Sequence, residues 1–217
     1  MSTVTGGMAL SLARASMGIA GRVRAYVGLG ANLGDAADTL AAAVHAVGAL
    51  PGIRLRGVSR LYATTPVGVL DQPDFRNAVV ALDVPAGPDP ATGATDLLVA
   101  LKELERAFGR QARQRWGPRE VDLDILVFGR NAIATSRPPQ GQSSDPAKAS
   151  LPLVVPHRDA RHRLFVLAPL SDLAPRLVPP FWGETVAAAA DRQRGIEGVD
   201  AVRPIAVWDG EGWLPLS

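Results

Sequence analysis

In the stretch 121–128, Asp122 and Asp124 alternate with Val121, Leu123 and Ile125. Residues two apart on a strand point to one face, so both carboxylates would lie side by side. Such a pair repels itself unless a cation sits between. Mg2+ takes one or two carboxylates and leaves its other positions for water and phosphate oxygens. A diacid of this kind suits a nucleotide-bound ion, while a solvated strand face paired with basic residues stays open as the plainer reading. Just upstream stand Arg110, Arg113, Arg115 and Arg119, with Trp116, Gly117 and Pro118 among them. Guanidinium groups bind phosphate oxygens as bidentate forks and keep their charge. They also stabilise charge that develops on a transferring phosphoryl group. Trp116 offers a ring for stacking on a heterocycle or an arginine. The segment 110–124 therefore reads as the reaction centre of a metal-dependent enzyme that moves a phosphate-containing group.

Other residues carry weaker signals. His157 follows Pro156 and stands among Arg158, Asp159, Arg161, His162 and Arg163. It could donate to phosphate or move a proton, or simply be polar surface. Thr64, Thr65 and the run 71–77, with Phe75 and Asn77, hold hydroxyls, a ring and an amide. A small flat polar ligand needs such groups, and ordinary turn chemistry uses them too. His45 reads as structural.

Residues 24–29 form a strand, and the glycines of 28–35 suggest a turn from strand to helix. The pattern only approximates a dinucleotide-binding fingerprint. Asp35 caps a helix with Leu40, Val44, Val47 and Leu50 on one side, stopped by Pro51-Gly52. Residues 53–62 and 75–84 are strands with a loop between. After a loop over 85–93, Thr95 or Asp96 caps a helix carrying Leu97, Leu98, Leu101, Leu104 and Phe108. Residues 163–170 suggest a short helix that Pro169 interrupts. An alanine-rich helix from Glu184 and an apolar run 202–207 follow. The leading order β-α-β-β-α-β is that of a ferredoxin-like fold of the α+β class, an antiparallel sheet with helices on one face.

The chain has 217 residues, a 47% apolar fraction and a net charge of +2. That charge is too small for a whole-surface role on nucleic acid or membrane. There is no cysteine, which excludes disulfides and thiolate metal sites and suits a cytoplasmic setting. Residues 1–22 read as a floppy leader outside the fold, with translation starting at Met8 or Met17. Residues 23–183 read as the domain, 137–150 as a mobile insertion and 184–217 as a C-terminal extension.

Taken together, Arg115-Trp116-Gly117-Pro118-Arg119-Glu120-Val121-Asp122-Leu123-Asp124-Ile125-Leu126 resembles the signature of the bacterial 6-hydroxymethyl-7,8-dihydropterin pyrophosphokinases of folate synthesis. The run 27–35, the run 71–77 and Val155-Pro156-His157 agree in order. The resemblance implies an α/β/α-type sandwich and transfer of pyrophosphate from ATP to a pterin alcohol, with AMP released. It implies two Mg2+ ions on Asp122 and Asp124, and Arg110 and Arg119 as catalytic groups. Glu105, Arg110, Arg115, Trp116, Arg119, Ile125, His157 and Arg163 match nucleotide positions. Thr64, Thr65, Val67, Phe75, Asn77, Trp116 and Phe165 match the pterin pocket. Small-molecule substrates, no nucleic acid, no membrane and a monomer are implied. The chain departs from the pattern at Ala112-Arg113, where the arginine is displaced, and at Thr65, Phe75, Lys102 and Arg158. Two readings stand beside this one. A non-catalytic nucleotide- or RNA-binding module would want strand-borne aromatics and no diacid. Another Mg-dependent phosphoryl or nucleotidyl transferase would differ in its product.

Overall fold

The computed structural model describes residues 21–65, 73–109, 120–143, 149 and 151–216. Its elements run β1 (Arg22–Ala31), α1 (Ala36–Gly48), β2 (Arg54–Val58), β3 (Leu61–Thr64), β4 (Phe75–Pro85), α2 (Pro90–Ala107) and β5 (Asp122–Phe128). Then come β6 (Ile133–Thr135), β7 (Leu153–Val155), α3 (Leu164–Leu173), α4 (Val186–Glu197), β8 (Val202–Trp208) and β9 (Trp213–Pro215). The main sheet is antiparallel in the order β5-β1-β4-β3-β8-β9, with β2 also on β4. Its first part is the expected β-α-β-β-α-β arrangement.

The two helices of that ferredoxin-like arrangement, α1 and α2, share one face as expected, and α3 and α4 add a layer on the other, which makes the three-layered sandwich. Residues Ala78, Val79, Val80, Ala81 and Leu82 are consecutive on β4 and all buried. A strand apolar on both faces must be covered on both. Val80 and Leu82 pack with Leu40 and Val44 of α1 and Leu101 of α2. Val79 and Ala81 pack with Leu167 and Leu170 of α3 and Ala189 of α4.

Several local expectations change. The strand expected over 53–62 is broken at Ser59-Arg60, where Ser59 Oγ accepts the Val79 N–H at 2.9 Å and donates to the Arg60 carbonyl at 2.7 Å. α2 starts inside the expected loop 85–93. Asp89 is its cap, accepting from the Thr92 N–H at 3.0 Å, and Pro90 takes the first helical turn. Gly93 then lies so close to the Ala86 carbonyl that a Cβ would sit 2.3 Å from its oxygen. Pro169 lies within α3 without ending it, and the helix continues to Leu173.

The segment 184–216 is part of the same body. β8 pairs with β3 in the main sheet, and α4 packs on the face that α3 covers. Glu197 of α4 accepts the first helical N–H of α3, from Leu164, at 2.9 Å. Part of the expected insertion 137–150 is likewise held. A 3-10 turn at Pro139–Gly141 lies against α2, and both terminal nitrogens of Arg106 donate to the Gln140 carbonyl at 3.1 Å.

Asp172 bolts α3 to β3. The Tyr62 hydroxyl donates to it at 3.0 Å, and Arg60 donates through Nη2 at 2.6 Å and Nε at 3.2 Å. Burial, and secondarily the Asp172 carboxylate, push the Tyr62 phenol well above its ordinary range, with Arg60 opposing. A folded-state value above the unfolded one stabilises the fold below about pH 10 and is lost as pH rises. In an alkaline titration followed by phenolate absorbance, Tyr62 should ionise only together with unfolding. A group that titrates reversibly near pH ~10 in the wild type and is missing from Tyr62→Phe would reject this.

Candidate active site

The sheet face covered by α3 and α4 carries the candidate residues at its open end. Gly30 of β1 is paired with Asn77 of β4 on one side and with Asp122 of β5 on the other. Gly28 stands likewise between Val79 and Asp124. Directly paired residues share a face, so Asn77, Asp122 and Asp124 all point to the same side. The two glycines leave the middle strand without side chains there. A Cβ on Gly30 would lie 3.2 Å from Asn77 Oδ1. Gly28 and Gly30 therefore lie within the strand, not in the strand-to-helix turn expected for 28–35. Their smallness makes a trough between the amide and the diacid.

On the diacid side, Asp122 and Asp124 are half-buried and Leu123 between them is buried on the opposite face. β5 is the edge strand, and α2 covers part of its edge. Glu105 accepts the Leu123 N–H at 2.7 Å, and Lys102 Nζ donates to the Leu123 carbonyl at 3.0 Å. The two side chains also meet each other at 2.7 Å, and Lys102 Nζ lies 3.7 Å from Asp124 Oδ1. Lys102 and Glu105 are 3% and 1% exposed, so this ion pair is internal. Asp124 remains open to solvent over 40% of its side chain. Two hard carboxylates on one face, one of them open, fit a Mg2+ ion that shares its remaining positions with phosphate and water. Among the described residues no group of three or more His, Asp or Glu forms a self-contained metal centre.

On the amide side, Asn77 Nδ2 donates to Thr64 Oγ1 at 3.0 Å, and both residues are buried. This leaves Asn77 Oδ1 over Gly30. Phe75 pairs with Thr64, which puts its ring on the same face. Phe165 of α3 packs in a cluster with Tyr62, Leu164, Ala168 and Val202. The Arg163 guanidinium lies over the Phe165 ring at 5.8 Å and pairs with Asp159 at 2.5 Å. The His157 N–H donates to the Leu126 carbonyl at 2.9 Å, which fixes it two residues beyond Asp124 on β5. Asn32 ties the end of β1 to the start of β4 by donating to the Pro73 carbonyl at 3.2 Å.

Thus the structure gathers Thr64, Phe75, Asn77, Asp122 and Asp124 on one face. Thr65 is exposed at the end of β3. Ile125 is turned the other way, 3% exposed in the core under α1 and α2. Arg110, Arg115, Trp116, Arg119 and Val67 lie outside the described residues, as do Arg113 and Ala112. A cavity of about 320 Å³ between Asn32, Asp35, Asp74 and Arg76 is on the other side. Arg76 alternates with Asn77 on β4 and so faces away from the trough.

A family profile described as 7,8-dihydro-6-hydroxymethylpterin-pyrophosphokinase matches residues 26–175. The chain belongs to this family. A 2-amino-4-hydroxy-6-hydroxymethyldihydropteridine pyrophosphokinase of Methylorubrum extorquens is 41% identical over 179 residues, covering 82% of this chain and 99% of that protein. Its namesake in Pseudomonas aeruginosa is 43% identical over 157 residues, covering 72% of this chain and 84% of that protein. A crystal structure of Plasmodium falciparum HPPK-DHPS with pteroate has the same fold, with a TM-score of 0.65 and 16% identity. It overlaps 90% of this chain, which spans about half (49%) of that longer protein. The pyrophosphokinase profile ends before α4, yet α4, β8 and β9 are joined to its sheet and helices. No helix of the described residues is long and apolar enough to cross a membrane.

Sequence reasoning missed two features of this pyrophosphokinase. Lys102 stood out only as a departure, and its tie to Glu105 had a trace in their spacing of three, which puts both on one side of a helix. The trough made by Gly28 and Gly30 left no trace beyond the glycines themselves.

Proposed function

We propose that the chain transfers the terminal pyrophosphoryl group of ATP to the hydroxymethyl group of 6-hydroxymethyl-7,8-dihydropterin in folate synthesis. The alcohol oxygen attacks Pβ, the bond from Pβ to the oxygen bridging to Pα breaks, and AMP leaves. The alcohol proton passes to solvent. The observation that carries this reading is the trough of the sheet face, with an amide on one wall and a diacid on the other. A flat polar ring and a polyphosphate need such walls on either side of the reacting atoms.

In this reading Asn77, oriented by Thr64, reads the polar edge of the pterin. Phe75, Phe165 and Trp116 flank the ring, and Thr65 and Val67 complete the pocket. Arg115, Trp116, His157 and Arg163 line the nucleotide site, Glu105 supports it from within through the Leu123 N–H, and Ile125 contributes its backbone. Arg110 and Arg119 stabilise the charge of the triphosphate in the transition state. Asp122 and Asp124 would hold two Mg2+ ions, which supply neutralisation of phosphate oxygens when bound. Catalysis is then mainly positioning and charge stabilisation. The chain acts as a monomer on small molecules in the cytoplasm.

The test is the product. Incubation with ATP, Mg2+ and reduced hydroxymethylpterin should release AMP in step with pterin diphosphate. ADP in its place would mean a simple kinase, and free pyrophosphate a nucleotidyl transferase; either rejects the reading. Absence of any pterin-dependent turnover would favour the binding module.

A further inference from the structure

Lys102 has no task in the reaction as set out above, yet its placement is costly. A buried ammonium persists only when paired and hydrogen-bonded. Here Lys102 is 3% exposed and donates to Glu105 at 2.7 Å and to the Leu123 carbonyl at 3.0 Å. Glu105 is itself pinned by the Leu123 N–H at 2.7 Å. The charge is thus fixed to the backbone of β5 and does not merely swing from α2. Leu123 stands between the two carboxylates of the diacid. Of the Lys102–Glu105 pair, the ammonium is the end that approaches Asp124, at 3.7 Å from Oδ1.

We propose that Lys102 is a positioning residue for Asp124 and a resident positive charge that weakens binding of a free divalent cation to the diacid. A cation on Asp124 meets a fixed like charge a few ångströms away, on the buried side of that carboxylate. The ammonium also gives the Asp124 carboxylate a partner before any ion arrives. A nucleotide changes the balance, because its phosphates bring negative charge that offsets the ammonium. The ion therefore enters with the nucleotide and not ahead of it. This rests on the reading that Asp122 and Asp124 hold the metal.

The test is Mn2+ binding to the full chain, followed through the spectrum of free Mn2+ by electron paramagnetic resonance. Without nucleotide, Lys102→Gln should bind Mn2+ at least about tenfold more tightly than the wild type, and Lys102→Arg within about twofold of it. With a non-hydrolysable ATP analogue present, the advantage of Lys102→Gln should shrink to less than about threefold. Equal affinity of Lys102→Gln and wild type without nucleotide overturns the proposal. If Lys102→Gln shows no cooperative melting, Lys102→Met takes its place. The unsubstituted protein supplies a second measurement. Its Lys102 ammonium resonance should be broadened away by Mn2+ with the analogue, and survival of that signal overturns the proposal. Asp124→Asn separates the two levels. If it binds Mn2+ as the wild type does, the metal-clamp reading itself fails. If it loses binding while Lys102→Gln matches the wild type, only the role of Lys102 fails.

Discussion

Asp124→Ala should melt within a few degrees of the wild type and lose roughly a thousandfold in turnover, the size seen when one preorganised charge is removed from a transition state. The two halves of that expectation have separate physical causes. The packing of β5 is carried by Leu123 and Ile125, which are buried beneath α1 and α2. Asp124 is on the other face and its side chain is 40% exposed, so its removal opens little buried space. Lys102 keeps Glu105 and the Leu123 carbonyl, so no buried charge is stranded. The carboxylate is one of only two acids on that face of β5, and a transferring pyrophosphoryl group spreads charge over several oxygens. The measurement is AMP release at saturating ATP and pterin across a Mg2+ series, beside a thermal melt. Full turnover at any Mg2+ level would remove Asp124 from the metal site.

Glu105→Leu should be the most destabilising single change at the site. It leaves the buried Lys102 ammonium with the Leu123 carbonyl and only the more distant Asp124 carboxylate, and it leaves the Leu123 N–H without its acceptor. Breaking a buried ion pair from one side costs about 3–5 kcal/mol, because the partner charge stays behind. Replacing both partners by apolar groups of similar size is far milder. Lys102→Met with Glu105→Leu should therefore recover much of the stability that Glu105→Leu loses. Urea denaturation of the two variants and the wild type checks this. A double variant less stable than Glu105→Leu would mean that the pair contributes more than mutual compensation.

Much of the site was legible because its signals are local. Asp122 and Asp124 share a face wherever that stretch is a strand, whatever packs around it. Asp35 announces a helix start by its side chain alone, and it does accept the Asp38 N–H at 3.1 Å. The start of α2 lies earlier than the local pattern suggests. Thr95 and Asp96 look like caps, but Asp89 followed by proline is the stronger signal, and Gly93 is there for its contact with Ala86. The alternation of β5 turns the Ile125 side chain into the core.

The sequence by itself determined the chemistry on offer: paired carboxylates at strand spacing, a basic loop before them, and an amide and rings earlier in the chain. Strand and helix periods act over a few residues, so these relations are written locally. The tertiary structure decided which groups face each other. Asn77 faces the diacid across a trough only because β1 runs between β4 and β5, and glycine at positions 28 and 30 matters only there. Lys102 reaches Asp124 only because α2 lies along the edge of β5. The run 202–207 buttresses Thr64 only because β8 completes the sheet beside β3. Such pairings are selected by burial of whole faces and by backbone hydrogen bonds between distant segments, and neither leaves a periodic mark in the residues it joins.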